Sequence, residues 1–249
     1  MTADPTTRPL LDPEQDAAHA RSVLACPAAV TLAIQGTIEG AVDGRTDSVV
    51  DTTATGLGVD DRHGTPTFHC PAGSGLADAA ARGARATITV SSGLGAPGSV
   101  ERNTQLLVSG RLAVCGTTSC RCCAESRETV VLTPETVLLA PPGAPAVEVA
   151  LPLFRSPDHE LNTGYLQRIA RHVAEEHQDR LRRTVATATA TPLEEVLGVG
   201  LSALTREGVD VGWVDLQGAH RSTLTFPRPA RSAAELSAML RRELDAGPC

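Results

Sequence analysis

The chain has 249 residues, 41% of them hydrophobic and 20% charged, which predicts a folded protein with one large or two ordinary domains. A net charge of −7 and an aromatic content of 2% disfavour nucleic acid, a polyanion whose bases stack on aromatic side chains. Every basic residue is arginine, which excludes a lysine Schiff base and a Walker-type phosphate lysine.

Two further features of the sequence bear on location. No apolar run approaches the length of a membrane span, and residues 1–16 contain no apolar core typical of a signal peptide. We therefore expect a cytoplasmic protein with no membrane partner. In that compartment the seven cysteines are expected to be reduced thiols.

The first part of the chain predicts a short helix followed by many strands. Residues 1–12 predict a disordered N-terminus, and Asp12 is expected to cap a helix over 13–24. From Val30 the apolar residues alternate, and a short helix over 76–82 interrupts the strands. This pattern predicts a split β-barrel over residues 13–156. The strand candidates are 30–35, 48–58, 66–70, 85–91, 104–114, 128–132 and 147–151.

A second, smaller domain is expected over residues 157–249. Residues 140–164 are rich in proline and predict a last strand followed by a linker. A long helix follows, and a final helix is expected at Ser232, which forms a capping box with Glu235. Two pairs ending in glycine indicate hairpin turns between the helices, so the domain is predicted as helix, three-stranded meander and helix. Its strand candidates are 199–206, 209–215 and 220–225.

The expected architecture is therefore α+β, with a barrel built from short strands. Such a barrel leaves strand edges that need cover, and pairing with a second copy supplies it. We expect a homodimer.

One column of residues in the long helix recurs every four positions and contains a histidine. His177 lies in this apolar column, where it is either a core histidine bonded to a backbone carbonyl or a ligand for a metal or cofactor. His172 lies about 140° away around a regular helix, so the two imidazoles are not expected to chelate one ion. This spacing favours a planar ligand that needs one axial nitrogen. The column consists of Tyr165, Ile169, Val173, His177, Leu181 and Val185.

The region over about 160–245 resembles a known family. Its features are two histidines separated by acidic residues, a meander interrupted by glycine at 205–210, and a strand followed by Pro-Arg-Pro at 224–229. In this order they are similar to the small C-terminal domain of HugZ-type haem-utilisation proteins. The residues of the first motif are His172, Glu175, Glu176, His177 and Asp179.

The preceding strands resemble the partner domain of that family, a split β-barrel of the pyridoxamine-phosphate-oxidase, FMN-binding type. The similarity lies in residues 31–33, 64–66 and 109–112. The sequence lacks the arginine- or lysine-rich phosphate clamp of the flavin-binding members, so FMN is less expected than haem.

The resemblance implies haem as the cofactor. It places His177 as the axial ligand of the haem iron and His172 as the second choice. Arg171 and Arg228 are candidate partners for the haem propionates, because arginine binds carboxylates in a bidentate manner. His69 and His220 are further options for ligation.

The resemblance leaves three functions open. The first is haem binding, with oxidative haem cleavage supported by an external electron donor, as in a haem oxygenase. The second is a non-enzymatic haem sensor or carrier, or a regulatory partner of an enzyme of tetrapyrrole synthesis. The third is a flavin-dependent oxidoreductase.

A group of four thiols in the first domain is a separate candidate site. Cys115, Cys120, Cys122 and Cys123 lie within nine residues, in an expected loop between two strands. Thiolates suit zinc, copper(I) and iron–sulfur clusters, but the usual C-x₂-C spacing is missing. The alternative is an exposed loop in which the thiols have no ligand.

Overall fold

The computed structural model describes residues 12–36, 46–51, 58–119 and 126–246. The chain divides into two compact units, Met1–His159 and Glu160–Cys249. The sequence predicts this boundary three residues earlier, after residue 156. Most of the predicted disordered N-terminus lies outside the described residues.

Two helices pack on the sheet of the N-terminal unit. Helix α1 spans Pro13–Ala25 and begins where predicted, because the Asp12 carboxylate accepts a hydrogen bond from the Glu14 N–H at 3.1 Å. Helix α2 spans Gly75–Ala81, and its N-cap, Ser74, accepts from the N–H of Ala77. Both helices bury alanine and leucine side chains in the core of the unit.

A single antiparallel sheet forms the rest of this core. Its strand order is β2-β1-β5-β6-β7-β4-β3, and β8 pairs with β7. Alternate residues point inward, as in β5, where Ala86, Ile88 and Val90 are buried. The curled sheet, with its helices, confirms the predicted split barrel. The strands are β1 (Pro27–Gly36), β2 (Thr46–Asp51), β3 (Val59–Arg62), β4 (Thr65–Pro71), β5 (Arg85–Ser92), β6 (Gln105–Ser119), β7 (Ser126–Ala140) and β8 (Val147–Glu148).

The sheet differs from the prediction in several strands, among them β6, which continues to Ser119 and not only to residue 114. β7 is far longer than the predicted 128–132, since Pro134 lies at a bulge where the register with β6 shifts next to Gly110. A Cβ on Gly110 would lie 1.9 Å from the Thr133 carbonyl oxygen, so only glycine allows this close approach. The sequence prediction missed β3, which is short and charged.

The segment predicted as a strand and linker is attached to the barrel unit. Residues 147–151 form only two residues of strand, and helix α3 (Leu151–Phe154) follows, with Phe154 fully buried. The buried Arg21 guanidinium donates to the Phe154 and Ser156 carbonyl oxygens at 2.9 and 3.3 Å and to Asp61 at 2.8 Å. The Arg21 cluster, comprising Arg21, Asp61 and these two carbonyls, therefore links α1, β3 and the segment after the sheet.

The C-terminal unit is an α+β meander, as predicted. Its three strands pair antiparallel in the order β11-β10-β9, and the helices bury one face of the sheet around Leu181, Val211 and Leu236. Within the described residues, no helix is long and apolar enough to cross a membrane. The elements are α4 (Thr163–Glu176), α5 (Gln178–Thr189), β9 (Gly198–Ser202), β10 (Gly208–Asp215), β11 (Gly218–Thr225) and α6 (Ala233–Ala246).

Candidate functional site

The long helix predicted through His177 is broken at that residue. α4 ends at Glu176 and α5 begins at Gln178, and His177 between them has φ −124° and ψ 28°. The His177 N–H makes the last bond of α4, to the Val173 carbonyl, and its own carbonyl accepts the first bonds of α5. The single continuous helix expected from the four-residue repeat is therefore wrong.

The Gln178 side chain accounts for the break. In a continuous helix the Gln178 backbone N–H would bond to the Ala174 carbonyl. Here the side-chain amide nitrogen takes that acceptor and also donates to the Val199 carbonyl on β9. The amide oxygen accepts from the Val199 N–H at 3.4 Å, so both groups of the side chain hold the bend against the sheet.

The bend brings the two histidines together. Their ring centroids lie 5.4 Å apart, with the ring planes at 85°. Both side chains are exposed, and neither ring has a hydrogen-bond partner within the described part of the chain. The reading of His177 as a core histidine is therefore wrong, and so is the expectation that the helix holds the two rings apart.

Both rings line a cavity of about 250 Å³ within the C-terminal unit. α4 and α5 form one wall, and α6 supplies the other through Leu240 and Leu244, which are buried. The polar lining consists of the two histidines, two arginines and one serine. The lining residues are Ile169, His172, Val173, His177, Arg180, Leu181, Ser237, Leu240, Arg241 and Leu244.

Two side chains on α5 hold this wall in place. The Thr184 hydroxyl donates to the Leu244 carbonyl at 2.6 Å, which ties α5 to α6 below the cavity. The Arg182 Nε donates to the Val196 carbonyl at 2.7 Å, which ties α5 to the segment before β9. The apolar floor is therefore fixed, while the histidines at the rim remain exposed.

The arginines at the cavity are not the predicted ones. Arg180 and Arg241 line it, whereas Arg171 is exposed on α4 outside the lining, and the guanidinium of Arg228 pairs with Glu235. Arg180 follows His177 by three residues, a spacing that places side chains on one helix face. That spacing is a usable sequence signal for Arg180, but no sequence signal links Arg241 to the histidines.

The other histidine candidates have partners. The His220 Nε2 lies 2.9 Å from the buried Asp215 carboxylate, and its ring stacks on Trp213 with a centroid distance of 5.2 Å. This hydrogen bond from His220 lowers the pKa of Asp215. The His69 Nδ1 lies 3.3 Å from the Thr129 hydroxyl. Each of these contacts occupies one nitrogen of its ring, and neither residue lines the cavity beside His177.

The thiol group is only partly described. Cys115 lies in β6 and not in the expected loop, and it is an exposed free thiol, while Cys120, Cys122 and Cys123 lie outside the described residues. Among the residues that the structure describes, no group of three or more His, Cys, Asp or Glu is arranged to hold a metal ion.

The barrel unit has a cavity of its own, of about 390 Å³. Its lining contains the Glu101 carboxylate and no arginine. A carboxylate repels a phosphate, so this lining does not suit the phosphate of a flavin nucleotide. The other lining residues are His19, Val100, Thr104, Pro141, Pro142, Gly143 and Ala144.

The chain is similar to several solved structures at low identity. A haem-binding protein from Mycobacterium smegmatis is 14% identical over 97% of this chain and 98% of its own, with a TM-score of 0.42. A FAD- and haem-binding protein from the same organism is 16% identical over 51% and 79%, with a TM-score of 0.34. A Clostridium acetobutylicum protein related to general stress protein 26, of the pyridoxinephosphate oxidase family, is 6% identical over 58% and 99%, with a TM-score of 0.38.

No protein-family model matches the sequence, and no curated protein does. The structural similarities are remote, so the ligand of this chain has to be inferred from its own residues.

Proposed function

We propose that the C-terminal unit binds haem, with His177 as the axial ligand of the iron. The observation that carries this proposal is an exposed imidazole without a hydrogen-bond partner at the edge of an aliphatic cavity. Neutral imidazole is a common ligand of haem iron, and the apolar macrocycle needs aliphatic contacts beside it. The HugZ-type pattern in the sequence points to the same ligand.

The lining suits the different parts of a haem. Ile169, Val173 and Leu240 offer aliphatic contact to the macrocycle, and Arg180 and Arg241 offer cations to its two propionates. We propose these two arginines in place of Arg171 and Arg228. A cavity of 250 Å³ is smaller than sites that enclose a whole ligand, about 300–1,000 Å³, so part of the macrocycle stays exposed.

His177 is preferred over His172 because the HugZ-type resemblance places His177 as the axial ligand. His177 lies at the bend that Gln178 fixes, with hydrogen bonds from its N–H and to its carbonyl. His172 lies within α4, on the turn before the bend. We propose His172 as a neighbour of the iron site and not as the axial ligand.

A haemin titration of the purified protein tests the proposal. We expect a sharpened Soret band at one haem per chain, which weakens strongly in His177→Ala and little in His172→Ala. The matched control is His63→Asn, which removes an exposed imidazole from the other unit and keeps a side chain that tolerates its φ of 51°. Equal spectra for all four proteins would overturn the assignment, as would a flavin absorbance in the purified protein.

The haem complex of the protein also distinguishes oxidative haem cleavage from a non-enzymatic role as a sensor or carrier. A bound haem would supply redox chemistry at its iron, while the chain sets access, orientation and polarity. Oxidative cleavage needs an external electron donor, and sensing, carriage or regulation of a tetrapyrrole enzyme needs binding alone. Loss of the Soret band under reductant and air indicates cleavage, and a stable band indicates the second class.

We also propose that the chain is a homodimer. Within the described residues, β2 and β3 end the barrel sheet and pair on one side only, which leaves two strand edges. Light scattering on the full chain tests this proposal. A mass of 25.8 kDa, that of one chain, would contradict it.

A further inference from the structure

We propose that His172 and His177 together form a chelating site for a divalent first-row transition metal ion such as Ni²⁺ or Zn²⁺. The site uses the cavity described above, but it needs both imidazoles and no haem. It goes beyond the proposed function, in which His177 alone binds iron.

The distance between the rings carries the proposal. Two imidazole nitrogens at about 2.0–2.1 Å from one tetrahedral ion place their ring centroids about 5 Å apart. The observed separation is 5.4 Å. A regular helix would keep residues five apart on different faces, and the bend at His177 removes this obstacle.

The state of the two side chains also suits a metal. Both are exposed and have no hydrogen-bond partner in the described part of the chain, so coordination breaks no existing bond. Imidazole is a preferred ligand of nickel, copper and zinc, and not of magnesium. Since no third His, Cys, Asp or Glu joins the pair among the described residues, water would complete the coordination.

The charge around the pair is mixed. Arg180 and Arg241 line the cavity, Arg171 is adjacent to His172, and three exposed acidic residues lie within a few positions of the histidines on α4 and α5. They are Glu175, Glu176 and Asp179.

Calorimetric titration of the metal-free, haem-free full chain with Ni²⁺ tests the site. Thiols also bind this ion, so the titration uses a variant in which serine replaces the cysteines at 115, 120, 122, 123 and 249. We expect one Ni²⁺ per chain, an affinity at least tenfold lower in His172→Ala and in His177→Ala, and no binding of Mg²⁺. His63→Asn is the matched control and should bind like the parent.

The variants keep this test separate from the haem proposal. His172→Ala is expected to lose Ni²⁺ and to keep haem, while His177→Ala loses both. His177→Asn, which tolerates the irregular backbone at the bend, replaces His177→Ala if circular dichroism shows that the latter unfolds. Ni²⁺ affinity unchanged in His172→Ala, or reduced equally in His63→Asn, would overturn the metal site and leave the haem proposal standing.

Discussion

The two units differ in the burial and hydrogen bonding of the polar side chains that distinguish them. In the barrel, the Arg21 guanidinium is 2% exposed and bonds to Asp61, Phe154 and Ser156. In the C-terminal unit, His172 and His177 are exposed, and their rings contact each other edge to face and have no hydrogen-bond partner within the described residues. The comparison teaches that a satisfied buried group contributes to stability, whereas an unsatisfied exposed pair beside a cavity is available for a ligand.

Removing Arg21 is the strongest test of the barrel half of this comparison. Arg21→Ala leaves the Asp61 carboxylate buried without its counter-ion, and we expect a loss of about 3–5 kcal/mol in the free energy of unfolding. Urea denaturation measures this loss. Arg85→Ala is the matched control, because the Arg85–Glu135 pair is more than a third exposed on both sides, and we expect it to cost about 0–1 kcal/mol. Similar losses in the two variants would contradict the structural role of the Arg21 cluster.

Removing the amide at the bend tests whether the fold positions the histidines. Gln178→Ala removes the side-chain hydrogen bonds to the Ala174 and Val199 carbonyls, and we expect a loss of about 1–2 kcal/mol of stability. The bend then loosens, and we expect a weaker Soret band although both histidines remain. Gln217→Ala, at an exposed turn, is the control for both readouts. A normal haem spectrum in Gln178→Ala would mean that the bend does not position His177.

Removing the arginines at the cavity should weaken binding of the ligand. Arg180→Ala and Arg241→Ala each remove an exposed cation, worth about 0.2–1 kcal/mol in an ion pair, so we expect haem affinity to fall by a few-fold at most in each. Arg171→Ala is the matched control, since Arg171 is exposed on α4 outside the cavity. Competition for haemin against a reference protein measures the affinities. A larger effect of Arg171→Ala would favour Arg171, the arginine chosen from the sequence, as the propionate partner. It would contradict the assignment of that role to Arg180 and Arg241.

The smallest expected effect is confined to acid pH. His220 lowers the pKa of Asp215 in the folded chain, so Asp215 stabilises the fold above its unfolded pKa of about 4, and this contribution is lost as the pH falls through the lower folded value. Asp215→Asn keeps an oxygen for the backbone N–H groups of Gln217 and Gly218. We expect its melting temperature to fall less steeply below pH 4 than that of the wild type. Parallel curves would show that Asp215 does not contribute this acid sensitivity.

Local signals in the sequence were sufficient for most of the fold. The Asp12 cap, the alternation in β5 and the turn before Gly218 each depend on neighbouring residues, and the structure confirms all three. The length of β7 was not predictable in this way. Pro134 indicates the end of a strand, but pairing with β6 continues on both sides of it.

The candidate site shows the limit of such signals more sharply. A repeat of four residues correctly marks Leu181 and Val185 as core, but it continues through His177, where the chain bends. The bend depends on a contact between Gln178 and Val199, which are 21 residues apart. Arg241 lines the cavity because α6 packs there, and no local sequence pattern predicts this packing.

A crystal structure of the full chain loaded with haemin tests the central claim most directly. We predict that a ring nitrogen of His177 binds the iron, that the macrocycle lies against Ile169 and Leu240, and that the propionates lie near Arg180 and Arg241. Haem bound in the barrel unit, or iron held by a cysteine or by His69, would contradict the account.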